Sequence, residues 1–167
     1  MMRERGKRIG LLVIAGIVIV SISSCNQSKK YEKEEQEKIQ TYLSSHDTLN
    51  FEKKTSGLYY LDDSVGTGSQ VAVHDSVFIM FNGYYLSGTK FATNYGTKDT
   101  LERRAGEGDF IAGVDEAITY MRAGGKSKVL VPSFLGYGTS GYVMPAYTPL
   151  LYDIWLVRLS SNSNTKK

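Results

Sequence analysis

The sequence contains few of the residues that metal sites and nucleophilic enzymes require. Its 167 residues include one cysteine and two histidines, His46 and His74, which lie far apart. A single cysteine excludes an internal disulfide framework and any metal site built from several cysteines. Serine and cysteine nucleophile motifs are absent, and the glycine-rich segments 105–108 and 136–138 lack the lysine or the helix placement of a phosphate-binding loop. We therefore expect neither a hydrolase, a kinase nor a metalloenzyme, and we expect no metal and no cofactor.

An excess of positive charge is missing from most of the chain. The formal net charge is +3 and the pI is near 8.8. The first eight residues, however, hold four of the 20 basic residues and one of the 17 acidic residues, which leaves 16 of each sign in the remainder. Proteins that bind DNA or RNA normally carry a basic surface. The sequence therefore predicts no nucleic-acid partner.

The N-terminus has the pattern of an export signal. Residues 1–8 are basic, and a 14-residue apolar run from Ile9 to Ile22 follows, broken only by two glycines and a serine. A bilayer-spanning helix needs roughly 20 apolar residues, so this run fits the hydrophobic region of a secretory signal better than a permanent anchor. Two serines and then Cys25 follow the run, an arrangement that resembles the lipobox of bacterial lipoproteins.

This resemblance implies a signal peptide at residues 1–24 and lipidation of Cys25. Acyl chains there would hold the protein at a membrane, since each buried methylene contributes about 0.8 kcal/mol. We expect the protein in the cell envelope, with its domain facing the periplasm or the cell surface. Asn26 stands where some bacteria carry an acidic residue for inner-membrane retention, which favours the outer membrane. An uncleaved N-terminal anchor is the alternative.

The segment after the cysteine differs in composition from the rest of the chain. The 29 residues that follow it include 12 charged residues and contain no glycine or proline. The apolar residues Ile39, Tyr42 and Leu43 fall on one face of a helix. We predict a short helix from about residue 31 to 44 within a lipid-anchored tether of residues 25–55. It could dock on the domain, mediate dimerisation or act as a spacer, and we expect a spacer with partial docking.

Residues 56–160 have the composition of a folded, strand-rich domain, and residues 161–167 are expected to be disordered. The domain holds 14 of the 17 glycines, and turn residues separate its β-rich stretches. The predicted strands cover residues 58–61, 76–86, 90–91, 127–132 and 150–159.

One segment of the domain favours a helix. Residues 114–121 have apolar side chains at helical spacing, with Asp115 and Glu116 in the first turn and Gly124 after the end. Adjacent helix residues point apart, so we interpret these two acids as partners of the helix dipole rather than as a catalytic pair. Together the elements predict an α+β fold: an antiparallel β-sheet wrapped around one short α-helix and preceded by a short N-terminal helix.

An ordered set of short motifs runs through the domain. In chain order they are Phe81-Asn82-Gly83, Gly88-Thr89-Lys90-Phe91, Asp109-Phe110-Ile111-Ala112-Gly113, Met121-Arg122-Ala123-Gly124-Gly125-Lys126, Val131-Pro132-Ser133, Gly136-Tyr137-Gly138, Met144-Pro145 and Leu150-Leu151-Tyr152-Asp153-Ile154. Each motif is weakly specific, but the set in this order resembles an FKBP-type peptidyl-prolyl isomerase domain over roughly residues 56–160. With the lipobox, the chain resembles the small lipid-anchored FKBPs of Gram-negative envelopes.

The resemblance implies an enzyme that rotates the peptide bond before proline. That bond has a barrier of about 18–20 kcal/mol and exchanges unaided over roughly tens to hundreds of seconds. The family chemistry needs no metal and no covalent intermediate. It implies that the backbone N–H of Ile111 holds the substrate carbonyl, that Tyr137 offers its hydroxyl to a substrate carbonyl, and that Phe91 contacts the proline ring. The other pocket residues it implies are Phe81, Leu101, Phe110, Val114, Val143, Met144 and Tyr152.

The expected substrates are proline-containing unfolded or exported polypeptides. Plain core packing remains an alternative for each aromatic residue of this set. A catalytically weak or silent binding module, held within an envelope protein complex, remains an alternative to the enzyme.

Four positions depart from the usual family pattern. Phe81 replaces a tyrosine, Ala92 an aspartate, Leu101 a phenylalanine and Val114 a tryptophan. Ala92 removes an electrostatic contribution to the pocket. Val114 either deepens the pocket floor or lets neighbouring side chains, Leu101 and Met144, collapse into it. We therefore expect weak isomerase activity and reduced affinity for bulky macrolides.

Overall fold

The structure is a computed structural model, which describes residues 27–97, 99–139 and 141–160. The predictions of a signal peptide, of lipidation at Cys25 and of a disordered tail at residues 161–167 lie outside the described residues. Among the helices that are described, none is both long enough and apolar enough to cross a membrane.

The chain divides into two compact units between Glu37 and Lys38. Helix α1 covers residues 27–45. In the first unit, the Lys33 Nζ atom lies 3.8 Å from Glu37 Oε1 one helical turn away. An exposed pair of this kind contributes little to stability. The fold that positions the candidate site belongs to the second unit.

An antiparallel sheet forms the body of the second unit. Its strands within the described residues are β1 (Glu52–Lys53), β2 (Tyr59–Ser64), β3 (Ser76–Tyr85), β4 (Lys90–Thr93), β5 (Leu101–Arg104), β6 (Lys126–Val131) and β7 (Leu150–Ser160). The spatial order is β1-β2-β6-β7-β3-β4, and β5 also pairs with β3. Together with helix α2 (Ala112–Thr119) and α1, this confirms the predicted α+β fold.

Strands β1 and β5 were not predicted from the sequence. β1 has only two residues, too few to show a pattern. In β5 the half-buried Leu101 is followed by three exposed polar residues, so apolar and polar residues do not alternate. Pairing with β3, in the register Ile79–Leu101 and Val77–Arg103, holds this strand in the sheet.

The central strands bury both of their faces. Successive residues of a strand point to opposite faces of the sheet. Val129 and Tyr152 therefore lie in the larger core cluster, which also contains Val114, Ala117 and Ile118 of α2. Their neighbours Leu130 and Leu151 lie in a second cluster with Ile39 of α1. The apolar run in β7 thus reflects a strand that is covered on both sides over its first half.

Helix α2 begins and ends two residues earlier than predicted. At its start, the carbonyl of Ile111 accepts hydrogen bonds from the N–H groups of Val114 and Asp115, at 2.9 and 3.0 Å. At its end, the N–H groups of Tyr120 and Met121 donate to carbonyls three residues back, at 3.1 and 3.0 Å. Such bonds tighten the last turn and end the α-helical spacing before residue 121.

The carboxylate of Asp115 fixes the loop that leads into α2. It is 9% exposed, and its two oxygens accept the N–H groups of Gly106 and Gly108 at 2.8 and 3.0 Å. The adjacent Glu116 accepts instead from the hydroxyls of Ser56 and Tyr120. The two acids therefore have different partners. Asp115 lies in the first turn of α2 and also binds the backbone of the preceding loop, whereas Glu116 binds side-chain hydroxyls.

The second cluster predicts that Ile39 of α1 contributes to the stability of the domain. Ile39 is fully buried against Tyr59, Leu130 and Leu151. Replacing Ile39 with alanine should lower the free energy of unfolding by about 2–5 kcal/mol, because a buried cavity is left behind. Denaturant unfolding of the variant measures this loss. Lys38→Ala, at an exposed position of the same helix, is the control, and equal effects of the two substitutions would show that residues 38–45 do not pack on the sheet.

Candidate active site

A cavity of about 310 Å³ opens between the sheet and α2. Its walls come from β3, β4, β5, α2 and β7 and from the loops before α2 and after β6. The lining residues are Ile79, Phe81, Phe91, Ala92, Leu101, Asp109, Phe110, Ile111, Val114, Tyr137 and Tyr152. Because most of these side chains are apolar, the cavity suits an apolar group that brings few polar atoms.

Three aromatic rings form one wall of the cavity. The ring of Phe91 meets that of Tyr152 edge to face, with centroids 5.8 Å apart and an interplanar angle of 89°. The ring of Phe81 lies 6.2 Å from that of Tyr152. Edge-to-face pairs at such distances are favourable beyond the area they bury. The three rings therefore hold one another in fixed orientations.

Gly83 allows Phe91 to lie against the backbone of β3. A Cβ atom at this position would be 2.7 Å from Cζ and 2.9 Å from Cε2 of Phe91, closer than real Cβ atoms come. The missing side chain thus gives Phe91 its place in the wall. A register shift in the β3–β4 pairing accompanies the contact: Gly83 pairs with Ala92 and Tyr84 with Lys90, which leaves Phe91 as the extra residue between them.

Asn94 positions the part of β3 that faces the cavity. Its Oδ1 atom accepts the N–H of Phe81 at 2.6 Å, and its Nδ2 atom donates to the carbonyl of Ile79 at 3.0 Å. These bonds fall between the stretches of β3 that pair with β5 and with β4. Asn94 was not predicted as a site residue, since a lone asparagine after a short strand carries no recognisable signal in the sequence.

Tyr137 lies on a loop held by backbone hydrogen bonds. The carbonyl of Ser133 accepts the N–H groups of Gly136 and Gly138, at 2.9 and 2.8 Å. Gly138 has φ +70°, a conformation that glycine adopts without strain. The loop thus presents a single tyrosine to the cavity.

Tyr137 and Tyr152 both line the cavity, and Tyr152 is only 5% exposed. Burial, and then the neighbouring Tyr137, raise the pKa of Tyr152. Tyr152 therefore keeps its proton at any ordinary pH.

Ile111 is the N-cap residue of α2 and lines the cavity. Its carbonyl is used at the helix start, as described above. Within the described part of the chain, none of the backbone hydrogen bonds outside the helices and strands has the Ile111 N–H as donor. That N–H is available to a ligand.

The structure brings together most of the residues that the sequence singled out. Eight of them line the cavity: Phe81, Phe91, Leu101, Phe110, Ile111, Val114, Tyr137 and Tyr152. Val143 and Met144 are not in the lining. Val143 is 64% exposed, and the Sδ atom of Met144 accepts a hydrogen bond from the Tyr85 hydroxyl at 3.3 Å. Their roles, like those of the lining residues, stay predictions.

Two residues that line the cavity, Ile79 and Asp109, were not predicted as site residues from the sequence. Ile79 shares a face of β3 with Phe81 two positions later, which strand alternation could have indicated. For Asp109, one carboxylate oxygen accepts a hydrogen bond from the backbone N–H of Arg104 at 3.1 Å. No group of three or more histidine, cysteine, aspartate or glutamate side chains suited to a metal occurs among the described residues.

Comparison with known proteins gives concordant results. A crystal structure of AtFKBP13 matches with a TM-score of 0.61 and 27% identity, over 66% of this chain and 99% of that one. The FK506-binding protein of Neisseria meningitidis serogroup B is 30% identical over 105 residues, which are 62% of this chain and 96% of that protein. The isomerase FkpA of Buchnera aphidicola from Schizaphis graminum is 30% identical over 140 residues, or 79% of this chain.

The chain spans about half of that FkpA relative, since the match covers 54% of its length. The model of the family described as FKBP-type peptidyl-prolyl cis-trans isomerase matches residues 67–157, which is more than half of the chain. The chain therefore belongs to the FKBP-type peptidyl-prolyl cis-trans isomerase family.

Proposed function

We propose that this chain catalyses cis–trans isomerisation of the peptide bond before proline in unfolded or exported polypeptides. One observation carries the proposal: the cavity between the sheet and α2 has aromatic walls and very few polar groups, among them the Tyr137 hydroxyl. Family membership and the convergence of eight predicted residues support it.

The chemistry follows from the electronic structure of an amide. Resonance keeps the peptide bond planar and places partial charges on its oxygen and nitrogen, and rotation removes this resonance. Water stabilises the planar, more polar form. An apolar cavity withdraws that stabilisation, so the twisted form loses less on binding than the planar form does.

Named residues of this chain fit the steps of that scheme. The ring wall of Phe81, Phe91 and Tyr152 would contact the proline ring. The Ile111 N–H would donate to one substrate carbonyl, which holds one side of the bond while the other turns. The Tyr137 hydroxyl would donate to a second carbonyl. Donors fixed before the reaction stabilise a transition state without the cost of reorganising.

A second candidate function is binding of a proline-containing partner without turnover, for instance within an envelope complex. Ala92 favours it, because Ala92 brings no charge to a position on the cavity wall. Val114, a small side chain in the lining, would leave the floor open to a bulkier group. The same assays separate the two functions, since a binding module takes up the peptide but leaves its exchange rate unchanged.

The role of Tyr137 predicts a loss of activity when only its hydroxyl is removed. Tyr137→Phe should lower kcat/KM about tenfold, because one hydrogen bond that strengthens in the transition state is lost. Proline-limited refolding of a slow-folding protein and a tetrapeptide assay both measure this. The variant should remain folded at the assay temperature, which a thermal melt checks. Full activity in a folded Tyr137→Phe variant would contradict the assignment.

The contact at Gly83 predicts a defect in substrate binding. Gly83→Ala should raise KM, because the new Cβ displaces the Phe91 ring from the wall. Gly88→Ala is the matched control in the turn of the same hairpin: its φ of +85° makes alanine strained, but nothing lies within 4 Å of the new Cβ. The control should lose stability without a change in KM. If KM rises in both variants, the binding defect comes from a general disturbance of the hairpin and not from displacement of Phe91.

We also propose that Cys25 is lipidated and holds the protein in the cell envelope, with the outer membrane favoured. The basic start, the apolar run and the serines before Cys25 support this. In a Gram-negative host that expresses the full chain, a clickable fatty acid should label the wild type but not Cys25→Ser, and the label should follow the outer-membrane fraction. An unlabelled wild type would contradict lipidation, and label in the inner membrane would contradict the favoured location.

A further inference from the structure

Strand β3 changes its neighbour along one edge, beside the cavity. On that edge it pairs with β5 as far as Ile79 and with β4 from Asn82 onward. Neither β4 nor β5 therefore reaches Met80 and Phe81. Backbone N–H and C=O groups at such a gap need other partners. Because Ile79 and Phe81 both line the cavity, the group that closes the gap also fixes part of the site.

The side chain of Asn94 closes this gap as a strand residue would. Its Oδ1 atom accepts the N–H of Phe81 at 2.6 Å, and its Nδ2 atom donates to the carbonyl of Ile79 at 3.0 Å. The backbone N–H of Asn94 also donates to the carbonyl of Phe81, at 3.2 Å. A side-chain amide offers both an acceptor and a donor, as a peptide group does. Loss of either half of the amide therefore takes a partner from the backbone of β3.

Asn94 is itself held in place by a turn. The N–H of Thr97 donates to the Asn94 carbonyl at 3.3 Å, and the Thr97 hydroxyl donates to the same oxygen at 2.7 Å. On the other side, the Thr93 hydroxyl donates to Asn82 Oδ1 at 2.7 Å and accepts the N–H of Tyr95 at 3.0 Å. The Asn94 amide is thus a fixed group against which β3 is held.

We propose that Asn94 is a positioning residue for substrate binding: its amide fixes the backbone of Ile79 and Phe81 and so sets where the Phe81 ring meets the bound proline. The described lining residues do not include Asn94, so it acts through them. The proposal rests on the function proposed above, in which the ring wall contacts the proline ring.

This role predicts an effect on KM rather than on kcat. The proline ring is not rearranged when the bond before it rotates, so its contacts with the wall are alike in the ground state and the transition state. An interaction that is equally strong in both states lowers KM without raising kcat. A displaced Phe81 ring should therefore weaken peptide binding and leave the rate of the bound peptide nearly unchanged.

Asn94→Asp in the full chain tests the proposal, because protonation of the new carboxyl group restores the missing donor. At about pH 8 the carboxylate can accept the Phe81 N–H but has no hydrogen for the Ile79 carbonyl. We expect KM for a proline tetrapeptide to be about threefold to tenfold above the wild-type value, in line with the loss of one hydrogen bond. At about pH 4 the carboxylic acid is both acceptor and donor, and the ratio of the two KM values should fall toward one. Exchange measurements by NMR give KM and kcat at both pH values.

Asn82→Asp is the matched control. Asn82 lies next to Phe81 on the opposite face of β3, and its oxygen accepts the Thr93 hydroxyl, which a carboxylate can also do. This variant introduces the same charge close by, and its KM should stay at the wild-type value at both pH values. Each ratio is taken against the wild type at the same pH, which removes the titration of nearby groups common to both chains, such as Asp99 and Asp153.

A cycle with Phe81→Leu tests the route through the ring. Asn94→Ala removes both side-chain bonds without adding a charge. It should raise KM in the wild-type chain and have little further effect in a Phe81→Leu chain, since residues that act through one another are not additive. Thermal melts check that each variant is folded at the assay temperature. The cycle also decides the matter if Asn94→Asp does not fold at about pH 8.

The outcomes separate this proposal from the isomerase function. A wild-type KM in folded Asn94→Asp, a KM ratio that does not fall at low pH, or a reduced kcat at unchanged KM would each overturn the positioning role. Independent effects of Asn94→Ala and Phe81→Leu would overturn it too, and all four results leave the isomerase function standing. A folded wild type that does not accelerate exchange would overturn the isomerase function, and the peptide Kd, which should follow the same pattern as KM, would then decide the role of Asn94.

Discussion

The pairing of β3 with β7 in the middle of the sheet supports both the core and the cavity. It aligns Phe81 with Ile154 and Gly83 with Tyr152, so an aromatic residue of each strand faces the same side. A shift of one residue would move every side chain of a strand to the opposite face. The buried residues on the two faces exclude such a shift, because the core under α2 and the cluster around Ile39 both require the present register.

The cavity remains open because hydrogen bonds fix the segments around it and small residues leave the space between them unfilled. Asn94 bonds to β3 between its two partner strands, and Asp115 binds the loop before α2. Gly83 admits the Phe91 ring against the backbone, and Val114 contributes only a small side chain. The polar atoms that remain are few, which is the condition for an amide to lose its hydration on entering. This is why the proposed chemistry depends on hydroxyl and backbone donors rather than on charge.

The fold could be predicted from the sequence because its central elements have strong patterns. The apolar run of β7, the β-rich composition of residues 76–86 and the helical spacing around Ala117 each indicated the observed structure. β5 could not be predicted, since only Leu101 of its four residues is apolar, and pairing with β3 places it in the sheet. The site could be predicted as far as the motif resemblance extended. The role of Asn94 depends on tertiary contacts that no local pattern encodes.

The most direct test of the central claim is exchange spectroscopy by NMR on a proline tetrapeptide with a small amount of this protein. Uncatalysed prolyl exchange takes roughly tens to hundreds of seconds, so no cross-peaks between cis and trans signals form within a mixing time below about one second. We expect cross-peaks when the protein is present, and weaker ones with Tyr137→Phe. Broadened peptide signals without cross-peaks, from a folded protein, would contradict catalysis and establish a binding module instead.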